Sequence, residues 1–365
     1  MKRLSRRGFL KAAVVGGTAL TAVPTVYVRR SAAAWARASR VHPNVNDLRV
    51  VGLTDSRMSK AAERSCGWAR QEELVVREAV WEAMDKLACA LAETRSPSEA
   101  WRAIFVKPPG RSWSDVVVAI KTNQIALQRQ HTRSAVMAKI CHALVHVLGV
   151  KGSNIHIYDG IHGDTMEKDT PFVGLPKGCR LEGTWGGVMV PTQIPEPWEG
   201  GRKRSGCLEH LVDGSVDILI NVSLCKGHSP RFGGFTMSMK NHFGTFSPRP
   251  GHREGSEDYL IAINQTPEIL GPMDPKSGKV LYPRQQLCVM DALWASKAGP
   301  VTMPSDQPNF LAMGVFSPVF DYVLATRFRG EKMGWQPEME MTRRMLTDFG
   351  YDESDLPNGG RIVEA

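Results

Sequence analysis

Between positions 217 and 250 the chain reads DILINVSLCKGHSPRFGGFTMSMKNHFGTFSPRP, and most of its chemistry-bearing residues are gathered there. Lys226, Lys240 and Asn241 offer positive charge and an amide, the set that holds a carboxylate or phosphate, while His228 is placed to move a proton. Gly233 and Gly234 would allow a ligand close to the backbone, with Thr236 and Ser238 capping a short helix over 237–242 whose N-terminus favours an anion. The same stretch also reads as a buried amphipathic turn, with Met237, Met239 and Phe243 as core and the glycines merely shaping the loop. His228, His242 and His252 are candidate metal ligands, although their separations of fourteen and ten residues fit no metal-binding spacing. Cys225, beside Lys226, reads either as a thiol of lowered pKa or as a small buried hydrophobe. No nucleophile elbow, phosphate-binding loop or dinucleotide fingerprint is present.

Such residues work only if a scaffold brings them together, and the apolar runs predict one. Ile218, Leu219, Ile220 and Val222 form a short β-branched run typical of a strand buried on both faces. Similar runs predict strands over 48–53, 116–120, 155–160, 286–291 and 309–314. Helical spacing of Leu74, Ala79, Met84, Leu87 and Leu91 predicts a helix over 68–93, with further helices over 98–105, 131–148, 259–270, 319–328 and 338–349. Strand, helix and strand at these separations predict parallel crossover units. The expected fold is therefore α/β, a mostly parallel sheet with helices on both faces. A Gly- and Pro-rich insertion over 171–206 reads as a surface excursion or a small hairpin within a single domain over 35–365. Parallel strands would bring Lys121 and Asn123, Asp159, the 225–228 segment and Asp291 to one edge, where open α/β sheets bind ligands. Lys121, Asn123 and Asp291 are thus expected to complete the pocket, Asp291 with Lys226 and His228 at its reactive end.

The 365-residue chain carries a formal charge of +9. Residues 1–34 hold seven of the positive charges and no acid, so the remainder carries only +2. Arg6 and Arg7, followed by an apolar stretch broken by glycines and a proline and then by Ala32, Ala33 and Ala34, read as a leader recognised by the twin-arginine exporter. A membrane anchor is the alternative, although the run falls short of the about 20 clean apolar residues a span needs. The expected location is periplasmic or otherwise extracytoplasmic, with membrane contact only through an uncleaved leader. The remaining Lys and Arg form no basic stripe with interleaved aromatics, which argues against nucleic acid as a partner. The seven cysteines include no C-x-x-C pair and no ferredoxin-type run, so no particular cofactor is signalled, and a disulfide remains open in an oxidising compartment.

The ordered set D-I-L-I-N at 217–221, K-G-H at 226–228 and S-M-K-N-H-F-G at 238–244 resembles the signature of the domain-of-unknown-function family 362. V-A-I-K-T-N at 118–123, V-M-D-A-L at 289–293 and Gly299-Pro300 are similar to further pieces of that pattern, so the resemblance spans roughly 48–330. It implies an α/β domain distantly related to the N-terminal part of nickel-dependent lactate racemases. The ferredoxin-like cysteines of some members are missing here. Ser223-Leu224-Cys225 and Ser317-Pro318 also depart from the family pattern. Three functions fit the residues: an exported enzyme or enzyme-like protein acting on a small carboxylate or phosphate, a binding protein for the same kind of ligand, and a redox protein loaded with its cofactor before export.

Overall fold

The apolar runs become neighbouring strands because each buries side chains on both faces. The computed structural model describes residues 42–60, 65–126, 128–160, 171–183, 188–198, 204–253 and 256–365. The leader expected over 1–34, with Arg6 and Arg7, lies outside the described residues. The strands are β1 (Val51–Thr54), β2 (Val118–Lys121), β3 (Ile155–Tyr158), β4 (Arg180–Glu182), β5 (Met189–Gln193), β6 (Arg204–Leu208), β7 (Ile218–Leu224), β8 (Lys226–Gly227), β9 (Phe235–Thr236), β10 (Gln285–Ala292), β11 (Phe310–Gly314) and β12 (Val363–Glu364). Eight of them form one sheet in the order β12-β1-β11-β10-β7-β2-β3-β4. From β10 through β4 every pairing is parallel, whereas β11 runs antiparallel to both β10 and β1.

The main helices are α1 (Trp68–Leu74), α2 (Arg77–Ala92), α3 (Pro97–Ile104), α4 (Ser134–His142), α5 (Ser238–Asn241), α6 (Ser256–Ile263), α7 (Ser317–Val323) and α8 (Met339–Thr347). The single helix expected over 68–93 is two, broken where Val75 and Val76 adopt extended backbone. Ser96 caps α3 through its side chain, with Pro97 at the first position, where a missing N–H costs nothing. Beyond α4 and α7 the chain continues in wider π-type turns to Leu148 and Lys332.

Alternation along the strands divides the core in two. Val118, Ile120, Ile157, Ile218, Ile220 and Val222 pack with apolar residues of α2, α3 and α4 on one face. Ala119, Tyr158, Leu219 and Met290 pack on the other with Met239 of α5, Tyr259 of α6 and Phe320 of α7. Helices on both faces of a mostly parallel sheet are the architecture expected from the periodicities. The 171–206 region contributes the edge strand β4 and half of an antiparallel β5/β6 hairpin. Among the described residues no helix is long and apolar enough to cross a membrane.

Candidate functional site

Parallel register sets the geometry. Lys121 pairs with Tyr158 on one side and Asn221 on the other, so β2 and β3 finish level while β7 runs three residues further, to Leu224. On β7, Asn221 falls on the same face as Leu219, a polar residue inserted into an apolar rhythm. Its amide donates to the Ser238 carbonyl at 2.9 Å, while its carbonyl accepts from Asn241 Nδ2 at 2.8 Å. Asn221 therefore anchors α5 to the sheet.

Lys121 Nζ donates to Asp159 Oδ1 at 2.8 Å and to the Thr122 carbonyl at 2.6 Å, with Asn241 Oδ1 3.4 Å away. Asn123 Nδ2 also donates to Asn241 Oδ1, at 2.9 Å. Asp159 Oδ2 accepts the Gln124 N–H at 2.5 Å. Gly244 closes this cluster: a Cβ there would lie 2.8 Å from the Asp159 carbonyl and 3.1 Å from Lys121 Cε, and its φ of +125° is one that side chains disfavour. That contact accounts for the glycine ending S-M-K-N-H-F-G. Gly227 and Gly299 pack backbone against backbone, since a Cβ on Gly299 would meet the Gly227 carbonyl at 2.3 Å, and so two distant motif pieces adjoin.

Lys226 is fully buried, and its Nζ has no hydrogen-bond partner. Burial, with Arg133 and Lys121 nearby and only Asp159 opposing, pushes its ammonium down to about 7. Lys240 is 7% exposed and sits over the faces of Phe243 and Phe232, at 3.3 and 4.6 Å from the ring centroids. Burial first, and then Lys121, push it down to about 7 as well. His228 lies edge-on to Phe232, and its Nδ1 accepts the Ser229 N–H at 2.8 Å. Burial, then Lys240, His252 and Lys226, push this imidazole down to about 3. The cluster grades from the sealed Lys226, past Lys240 and the half-buried His228, to His252 at the exposed surface.

The structure thus brings Lys121, Asn123, Lys226, His228, Lys240 and Asn241 into one electrostatic neighbourhood. Other expected site residues lie elsewhere or have other duties. Asp291 does not face the lysines: its Oδ2 accepts the Arg133 N–H at 2.8 Å and its Oδ1 stands 3.5 Å from Arg133 Nε. Its carboxylate balances a buried arginine and is not offered to a ligand. Gly233 and Gly234 donate their N–H groups to the Pro230 and Ser229 carbonyls, closing a turn between β8 and β9, so neither amide is available to an anion. His242 is buried away from His228, with Nε2 2.8 Å from Gln285 Oε1 and 2.9 Å from Asn221 Nδ2, so the three candidate histidines do not converge. Among the described residues no three His, Cys, Asp or Glu side chains are placed to hold a metal ion. Cys225 is fully buried with its thiol pushed up by that burial, as suits a core residue rather than a nucleophile. The free thiols of Cys141 on α4 and Cys179, just ahead of β4, lie close enough to perturb each other, which pushes Cys141 up and Cys179 down.

The anion expected at the start of α5 has an intramolecular substitute. Asp321 of α7 accepts the Ser238 and Met239 N–H groups at 2.8 and 2.7 Å, and neither Thr236 nor Ser238 caps the helix. A carboxylate from a distant helix fills the role foreseen for a ligand, because those amides are buried and need an acceptor. Burial outweighs the two hydrogen bonds and pushes Asp321 up to about 8. Such a group supports the fold fully below its unfolded pKa near 4, and that support is lost as pH rises through 8. Asp321→Asn, which mimics the neutral acid, is therefore expected to gain on the native protein in denaturant melts at pH 8 relative to pH 5. Asp321→Ala is expected to lose about 2 kcal/mol at pH 5 by orphaning two amides. A parallel pH response of Asp321→Asn and native protein would refute this assignment.

Sequence reading overlooked Asn221, Arg133, Asp321 and Gln285. Asn221 and Asp321 each left a trace, a lone polar residue inside an apolar strand or helix. Arg133 left none. On the opposite face of the sheet an open groove is lined by Asp85, Trp101, Lys139, His142 and His146, and it includes none of the expected site residues. No protein-family model, curated protein or solved structure matches the chain.

Proposed function

We propose that this protein is an exported relative of the domain-of-unknown-function family 362, an enzyme or enzyme-like protein acting on a small carboxylate- or phosphate-bearing anion. The observation that carries this reading is Lys226, a fully buried ammonium without a hydrogen-bond partner beside Lys121, at the C-terminal edge of the parallel strands. A buried charge left unpaired costs several kcal/mol, so a fold that keeps one is best explained by a ligand that matches it. Lys240, delivered by α5, and Asn123 complete the cradle, while Asn241, whose Nδ2 is spent on Asn221 Oδ1 and the Val222 carbonyl, holds α5 in place. Residues 1–34, with Arg6 and Arg7, would direct the folded chain to the twin-arginine exporter and so to an extracytoplasmic location.

His228 is the proton-moving group of this reading. With Nδ1 accepting from Ser229, the neutral ring carries its proton on Nε2, positioned to donate. A bound anion would offset Lys240 and Lys226 and lift the imidazole back toward the range useful at neutral pH. Capture without turnover is the second reading, favoured by that same observation, since an imidazole near 3 is too weak a base in the empty site.

Native mass spectrometry of the exported protein tests the common premise: a retained anionic small molecule is expected, and the bare mass of the mature chain would count against it. His228→Gln then separates the readings. An enzyme is expected to lose 100-fold or more in turnover of that molecule while keeping its affinity within about threefold. A variant that converts it at the native rate would remove His228 from the chemistry.

A further inference from the structure

Within the proposed anion site, the cations and their partners can be matched one by one. Lys121 is committed to Asp159 at 2.8 Å, with both side chains sealed from solvent. Arg133 is committed to Asp291 and to the Trp294 ring and carbonyl. Lys226 and Lys240 remain. No carboxylate among the described residues forms a salt bridge with either. Lys226 has no hydrogen-bond partner, and Lys240 rests on two phenyl faces that carry no formal charge. Both lie within electrostatic reach of Lys121 and of His228.

We infer that the ligand is a small dianion, a dicarboxylate or a phosphate monoester, whose two negative charges are met by Lys226 and Lys240. This rests on the anion-binding reading above and adds its charge. A monoanion would hold only one of the two lysines as a paired ammonium and leave the other unmatched or deprotonated, whereas a dianion draws both to the protonated, paired state. Neutral ligands would leave both unmatched. A dianion brings the two free cations to balance without disturbing the Lys121 and Arg133 pairs. Asn123 would orient the ligand rather than neutralise it, and Asn241, which accepts from Asn123 and Lys121 and donates to Asn221 and the Val222 carbonyl, holds Asn123 in place.

The test uses the full folded chain and probe pairs of equal size that differ by one charge: succinate against succinamate, and sulfate against methanesulfonate. Calorimetric titration at pH 7 and fixed ionic strength is expected to show at least one dianion binding tenfold or more tighter than its monoanionic partner. Lys240→Met and Lys226→Met are each expected to bring that ratio within about twofold of unity. Equal affinity for both members of each pair in the native protein would overturn the dianion assignment and leave the anion site standing. Failure of all four probes to bind at 10 mM would overturn the anion site itself, and this inference with it. A tenfold preference that survives in both Lys→Met variants, with folding checked by circular dichroism, would overturn the assignment of the charges to these lysines.

Discussion

Lys226→Met is expected to make the protein more stable and to weaken dianion binding to the level of the monoanionic partner. The methionine keeps the length of the aliphatic stem and removes a charge that has no partner. Even a paired buried charge, replaced by apolar side chains of similar volume, can gain about 1–4 kcal/mol, and an ammonium with no partner stands to gain in the same range. The pH dependence gives a sharper check. The Lys226 pKa falls from 10.5 to about 7 on folding. A lysine lowered in this way penalises the native state in full below pH 7, progressively less between 7 and 10.5, and not at all above. Native protein therefore gains stability as pH rises through that window from Lys226, and Lys240 and Lys121, also lowered by burial, act in the same sense. Lys226→Met should lose its own contribution, lowering the slope by about 1.4 kcal/mol per pH unit. Urea melts at pH 7, 8 and 9 measure both effects. A variant less stable than native protein at pH 7, with the slope intact, would show that the ammonium is satisfied within the fold.

Asp159→Asn is expected to be the most damaging conservative change in the site. The carboxylate is the salt-bridge partner of Lys121 and also accepts the Gln124 N–H. An asparagine keeps the shape and one acceptor but withdraws the charge, leaving Lys121 as an unpaired buried cation beside Lys226. Breaking a buried pair from one side costs about 3–5 kcal/mol. Adding Lys121→Met should restore at least half of that loss, because the stranded charge goes with it. A thermodynamic cycle over the two single variants and the double variant measures the coupling. Additive losses would mean that Lys121 and Asp159 do not act as a matched unit, and the charge accounting that leaves Lys226 and Lys240 free would fall with them.

The two outcomes pull in opposite directions for one reason. Water stabilises an exposed charge at almost no cost, whereas at the sheet edge only a specific partner does so. Lys121 has that partner and Lys226 does not, a difference set by which strands neighbour β2 and β7. Asp159 directly follows β3, which lies beside β2, while Asp291 on β10 turns to Arg133.

Much of the scaffold was legible in the residues. A run such as Ile218, Leu219, Ile220 and Val222 is compatible with few environments other than a doubly covered strand. Leu74 through Leu91 show a helical stripe for the same reason, that local geometry repeats at fixed periods. The meeting of Lys121, Asp159 and the 225–228 segment followed from placing the strands in parallel, although Asp291, expected at the same edge, turns to Arg133. Errors arose where a tertiary partner, rather than local chemistry, settled a residue's task. The start of α5 resembled a vacant anion cradle, yet Asp321, eighty-three positions from Ser238, occupies it. His242 resembled a ligand but bonds Gln285 across the sheet, and Gly233 and Gly234 close a turn with their own amides.

The amino-acid order by itself determined the elements and the edge at which the polar residues gather, because apolar periodicity and strand direction are short-range properties. Only the tertiary structure decided which buried charges are matched. Pairing depends on contacts a few ångströms long between residues far apart in the chain, as between Lys121 and Asp159 or Arg133 and Asp291, and no spacing along the chain encodes those distances.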